Sequence, residues 1–240
     1  MNNRVLLLVE GQDEFVFFQR LGHVAFGEKL LEIVTLRCNI YSLFKLMEDY
    51  DFDIDLEKAI MCSPNCPEED KIRVSNTLFP YKYLIFDFDF QEESMAENEK
   101  INAIEKMVNI FNDESDNGML LINYPMFESI REKYENRRFE TIKFNPLNHE
   151  SYKAIIDERG NKIDCDKLDR KQFLELAETS LCMSNYIIKG KYERPKKQEK
   201  ELTKTLFEKQ KEELTKKDAI YCVNTSAQFP CFYFGLKILK

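Results

Sequence analysis

The sequence predicts an α/β fold, a parallel sheet flanked by helices with a helical appendage toward the C-terminal end. Short apolar runs alternate with amphipathic stretches of ten or more residues, which is the rhythm of βαβ units. Three of those runs stop abruptly at acidic or polar residues: "VLLLVE", "YLIFDFDF" and "GMLLINYP". Beyond about Asn148 the pattern changes to long helical periodicities.

The elements follow in order. "RVLLLVE" reads as a buried strand ended by Glu10 and Gly11. "EFVFFQRLGHVAF" has helical spacing, "LLEIVTLRC" is a second strand, and "IYSLFKLMEDY" is a helix. Two prolines mark "CSPNCPEED" as loop. "YKYLIFDFDF" is a strand through its D-x-D, "NEKINAIEKMVNIF" an amphipathic helix, and "GMLLINYP" a strand ended by Pro125. "MFESIREKYENRRF" continues as a helix. Residues 1–147 are thus expected to form the sheet domain. Residues 148–240 form the appendage, with two long helical patterns. Its last stretch, "AIYCVNTSAQFPCFYF", reads as β-rich, with a strand that can pair back onto the main sheet.

The chain has 240 residues and is 43% hydrophobic, enough for a substantial core. No apolar run approaches the roughly 20 residues of a membrane helix, and no signal-peptide pattern is present, so a cytoplasmic protein away from membranes is expected. The seven cysteines are irregularly spaced and mostly sit in apolar stretches, as small core residues do in a reducing compartment. Cys62 and Cys66 form a C-x3-C pair, but zinc needs two more ligands, and His23 and His149 are far off in sequence. His23 reads as a core or surface histidine. The net charge is −8, yet Lys189 to Lys217 carries 11 Lys and Arg against 6 Glu. That stretch is either a solvated helix with i,i+4 ion pairs or a basic surface for nucleic acid. Lys196 and Lys197 are the residues singled out for the latter.

Functional residues of an open parallel sheet gather outside the carboxyl ends of its strands. Glu10, Asp87 and Asp89 are therefore expected to converge there. Strand alternation puts Asp87 and Asp89 on one side and Phe86, Phe88 and Phe90 on the other. Carboxylates so placed repel unless a cation sits between them. Mg²⁺ suits such oxygen ligands and is completed by waters and substrate phosphates; Mn²⁺ is the alternative. The chemistry such a site serves is phosphoryl transfer.

These pieces resemble a known signature. "VEGQDE" followed by "YLIFDFDF" resembles the TOPRIM pattern, a glutamate after one strand and D-x-D after another, shared by topoisomerases, bacterial primases and nucleases of the OLD and RloB-like groups. "INYPMFESI" resembles the N-P-x-F-E element of small stand-alone RloB-like and abortive-infection proteins, at Asn123, Pro125, Phe127 and Glu128. "YCVNTSAQF" is similar to their last strand. The likeness covers Arg4 to about Arg138 well and the remainder loosely. It implies a TOPRIM-like (Rossmann-like) domain and a Mg²⁺-dependent nuclease, often the toxic effector of bacterial anti-phage defence. It also implies an ABC/SMC-like ATPase partner, as in PARIS-type systems. The interval from Glu10 to Asp87 is long for that domain, so an insertion over about residues 48–77 is expected. A D-x-D-x-D/E pattern needs an acid where this chain has Gln91, leaving Glu92 or Glu93 to substitute.

On this basis Glu10, Asp87 and Asp89 are the candidate catalytic and metal-binding residues. Asp13, Glu14 and Glu128 are supporting acids, each with the alternative that acids favour the first turn of a helix. Arg131, Lys133, Arg137 and Arg138 are candidate phosphate contacts or simply helix solvation. The expected function is a metal-dependent endonuclease on DNA or RNA, tRNA included. A catalytically silent regulatory subunit of the ATPase is the alternative. A HAD-type phosphatase is a third, resting on "LIFDFDF" alone and weakened by Gln91 and by the strand's place far from the N-terminus. Homodimerisation through the C-terminal helices is a further expectation.

Overall fold

In a computed structural model of the chain, the residues described are 4–26, 30–91, 95–132, 134, 143–147, 151–159, 162–197, 199 and 201–240. The fold is α/β, with a mostly parallel five-stranded sheet flanked by helices and a C-terminal helical region. The chain divides into two compact units. The first is Met1–Phe86 with Asn98–Leu121; the second is Asp87–Glu97 with Ile122–Lys240.

The first unit opens with β1 (Val5–Val9), α1 (Gln12–Leu21), β2 (Leu31–Thr35) and α2 (Ile40–Glu48). It continues through α3 (Leu56–Cys62), α4 (Glu68–Ser75) and β3 (Tyr81–Asp87, whose last residue opens the second unit). Then come α5 (Glu97–Ile110, whose first residue belongs to the second unit), β4 (Asn112–Asp113) and β5 (Gly118–Asn123, whose last two residues belong to the second unit). The sheet order is β2-β1-β3-β5-β4. β1 is parallel to both neighbours, with Val9 opposite Thr35 on one side and Ile85 on the other. All five β1 residues are fully buried, which is why the strand is continuously apolar rather than alternating. A Cβ on Gly118, at φ 116°, would lie 2.9 Å from Leu84 Cδ1, so the start of β5 tolerates only glycine.

Within the span of the expected insertion, α3 and α4 are two short helices. Glu57 of α3 is ion-paired with Lys82 of β3 at 3.1 Å, and Arg73 of α4 with Glu32 of β2 at 2.9 Å. The loop expectation for "CSPNCPEED" holds only for its middle, Ser63 to Pro67, since Cys62 ends α3. Glu68, Glu69 and Asp70 form the first turn of α4, where their charges suit the helix dipole.

The second unit contains β6 (Lys143–Phe144), α6 (Tyr152–Glu158), α7 (Arg170–Lys189), α8 (Leu202–Lys217), β7 (Ile220–Tyr221) and α9 (Phe229–Phe234). Asp169 and Gln172 cap α7 reciprocally, at 2.8 and 2.9 Å. β7 pairs with β6 in a separate antiparallel ladder. The buried Gln210 of α8 pairs with the Tyr221 backbone in both directions, at 2.9 and 2.8 Å.

Three expectations are corrected here. "MFESIREKYENRRF" does not continue as a long helix: a 3-10 turn covers Phe127–Arg131, and Glu132 is already extended. The C-terminal strand does not join the five-stranded sheet; β7 pairs with β6 instead. Val223 does exchange two backbone hydrogen bonds, of 2.9 and 2.8 Å, with Tyr124, the residue after β5. The following "SAQFPCFYF" is helical, a 3-10 turn over Ser226–Gln228 running into α9. Apolar and aromatic content alone does not separate a buried helix from a strand.

Candidate active site

In the first unit, β1 delivers Glu10 to the edge where β1, β2 and β3 end. Glu10 is half-buried, and its carbonyl accepts from the Arg37 N–H at 3.1 Å. Cys38 lies beside it: burial, then the negative charge of Glu10, then Cys66, push the Cys38 thiol up to about 12. The next acids serve the helix. Glu14 is 4% exposed, and its Oε2 accepts from the Gly11 N–H at 3.2 Å, closing the N-terminus of α1. Asp13 is exposed in the same first turn.

In the second unit the strand that carries Asp87 ends on that residue. Strand alternation therefore does not place Asp89, which sits at φ 30° in the left-handed region. Asp is among the few side chains found there, and such backbone conformations concentrate at functional sites. Phe88 and Phe90 are buried and their rings stack 5.2 Å apart, while Asp87 and Asp89 remain half-buried. The turn is held by backbone bonds, Phe88 N–H to Asn123 O at 2.9 Å and Asp89 N–H to Pro125 O at 3.2 Å.

Behind Asp87 lies a buried polar network. Asn123, with no exposed surface, donates from Nδ2 to Asp87 Oδ1 at 3.0 Å. Its Oδ1 accepts from the Ser226 N–H at 3.1 Å and from Ser226 Oγ at 2.8 Å. Thr225 Oγ donates to Ile122 O at 2.9 Å, and Asn224 Nδ2 to Phe127 O at 2.9 Å. From α7, Ser180 donates to the Asn224 carbonyl, and Gln228 Nε2 donates to Ser180 and Ser184 at 2.7 and 2.8 Å. Buried polar groups need such partners. The role of "NTSAQ" was not read from the sequence, although five polar or small residues inside an apolar stretch are the signal for it.

The other candidates fare differently. Glu128 is ion-paired with Lys153 at 2.9 Å, and Arg131 with Asp157 at 2.7 Å. Both have protein partners, so neither is set apart for substrate. Glu132 was not singled out; it is buried, pairs with Arg159, and accepts from the Tyr152 hydroxyl at 3.1 Å. Lys196 and Lys197 are exposed between α7 and α8, while Lys189, Lys209, Lys216 and Lys217 pair with glutamates. Part of the basic stretch is therefore ion-paired surface. Glu92, Glu93, Lys133, Arg137, Arg138 and His149 lie outside the described residues. His23 is exposed.

Among the described residues, no group of three or more His, Cys, Asp or Glu side chains is arranged to hold a metal ion. The donor chemistry of the second unit nonetheless fits Mg²⁺, which commonly takes one or two protein carboxylates and completes its shell with waters and phosphate oxygens. Asp87 and Asp89 supply hard oxygen donors, and Asp87 has the outer hydrogen-bond partner expected behind a ligating carboxylate. Among the described residues, no helix is long and apolar enough to cross a membrane. Comparison with protein-family models, curated proteins and solved structures finds no match for this chain.

Proposed function

We propose that the chain is a metal-dependent endonuclease that cleaves phosphodiester bonds in DNA or RNA. The observation that most supports this is Asp87, partly exposed at the end of β3 and backed by a fully buried Asn123. Asp87 satisfies the buried Asn123 amide and keeps part of its surface open, and a carboxylate oriented by an outer hydrogen-bond partner is the arrangement found behind metal-ligating acids. Asp87 and Asp89 would hold Mg²⁺ or Mn²⁺; the motif resemblance alone makes Glu10 a candidate ligand or general base. When bound, the metal would supply Lewis-acid stabilisation of charge on the phosphate oxygens. Asp87 and Asp89 orient the scissile phosphate by fixing where that charge is met. Lys196 and Lys197 add positive charge for the nucleic-acid backbone.

On the strength of the motif resemblance, the wider role is the toxic effector of a bacterial anti-phage system, restrained or triggered by an ABC/SMC-like ATPase. The silent regulatory subunit is the competing proposal, and the retained acids count against it. The test incubates the purified chain with supercoiled plasmid, single-stranded DNA and total tRNA, with Mg²⁺ or Mn²⁺ and with EDTA, beside Glu10→Ala. Cleavage that needs metal and is lost in the variant supports the nuclease and names its substrate class. Intact substrates throughout, with the ATPase present or absent, favour the silent subunit.

A further inference from the structure

The polar residues that follow β7 sit far from Asp87 in sequence yet reach it through one side chain. The Ser226 backbone N–H can only donate, so the atom of Asn123 that faces it must be the carbonyl oxygen. The Ser226 hydroxyl donates to the same oxygen. The amide nitrogen of Asn123 is thereby turned toward Asp87, where an ionised carboxylate is the matching acceptor. Asn123 has no exposed surface and Ser226 none, so water does not compete for these bonds. The orientation is set by backbone, not by a rotatable group, and cannot invert without leaving a buried donor unmet.

We propose that Asn123 is a positioning residue for Asp87 and Ser226 the lock on Asn123, so that the C-terminal segment sets the affinity of the metal-binding carboxylate. This rests on the metal-site reading above and deepens it. The segment past β7 thus contributes to the site without touching substrate, and a change there would alter metal binding at a distance. Thr225, one residue away, provides an internal control. It is also buried and donates to the Ile122 carbonyl, not toward Asp87.

The experiment measures Mn²⁺ affinity of the full chain by electron paramagnetic resonance, with circular dichroism and melting as the fold check. Asn123→Ala is expected to weaken Mn²⁺ binding about tenfold, in the range of outer-shell partners. Ser226→Ala, which leaves the backbone bond in place, should weaken it a few-fold, and decides the matter if Asn123→Ala does not fold. Thr225→Val should lower the melting temperature and leave Mn²⁺ affinity within about twofold. Wild-type affinity in folded Asn123→Ala or Ser226→Ala overturns the proposal. So does an equal loss in Thr225→Val, which would mark the effect as merely structural. A wild-type chain that binds no Mn²⁺ overturns the metal-site reading itself, and this proposal with it.

Discussion

The acidic turn after β1 closes on itself, while the acidic turn after β3 depends on distant sequence. Glu14 meets the N–H of Gly11, three residues back. Asp87 meets Asn123, 36 residues on, and Asn123 is in turn held by Ser226, a further 103 residues on. A carboxylate used within its own turn has a complete local explanation: it caps a helix and its charge suits the dipole. A half-exposed carboxylate on a buried, long-range network is held by contacts that only the folded chain assembles. The lesson is that acids alike in sequence are separated by what their partners cost to assemble.

The contrast can be broken most sharply by mutation of the acids. Asp87→Ala and Asp89→Ala should each lower metal-dependent cleavage roughly a thousandfold, while Glu14→Ala leaves the rate per folded molecule nearly unchanged. An equal loss in Glu14→Ala would erase the distinction. The next effect in size belongs to the exposed lysines. Lys196→Ala with Lys197→Ala should weaken nucleic-acid binding several-fold at low salt, and flatten the slope of log K against log salt by about one per lysine. An unchanged slope would remove them from the interface. Glu14→Ala should cost about 1 kcal/mol of stability as a lost cap, visible as a lower denaturation midpoint.

The smallest effect concerns an ion pair of the second unit. Glu213 lies 2.7 Å from Lys143. Burial raises its carboxyl pKa, but the hydrogen bonds and charges of Lys143 and Lys217 outweigh that and hold it below the ordinary value. A depressed carboxylate stabilises the fold above its unfolded pKa, and that stabilisation is lost as pH falls through the folded value. Glu213→Gln should therefore destabilise the chain at pH 7, with a cost that fades below about pH 4. A cost independent of pH would show that packing, not charge, is what the pair contributes.

Much of this fold was legible because its signals are local. β1, β2, β3 and β5 follow from apolar runs, and α1, α2, α5, α7 and α8 from helical periodicity. β4 and β6 have no counterpart in the sequence reading, since two-residue ladders leave no periodic trace; β7 lies in the stretch read as β-rich, but its pairing with β6 was not legible. "FPCFYF" was misassigned because a buried helix and a buried strand share composition. At the site, Glu10 and Asp87 were placed at strand ends by pattern alone. The backbone of Asp89 was not, because alternation holds only while a strand continues, and β3 stops at Asp87. Glu128 and Arg131 had site roles or helix-surface roles as alternatives in the sequence; their partners, Lys153 and Asp157, lie on α6. The network from Asn123 to Ser226 could not be read, since its contacts span more than a hundred residues.

The most direct measurement compares the wild-type chain with Asp87→Asn on whichever nucleic acid the substrate panel identifies, across a Mg²⁺ titration. The variant is nearly isosteric and removes only the charge. The expected result is cleavage that rises with Mg²⁺ in the wild type and is abolished in the variant, with the melting temperature kept close to that of the wild type. Equal cleavage by both chains at every Mg²⁺ concentration would contradict the assignment of Asp87 to the metal site.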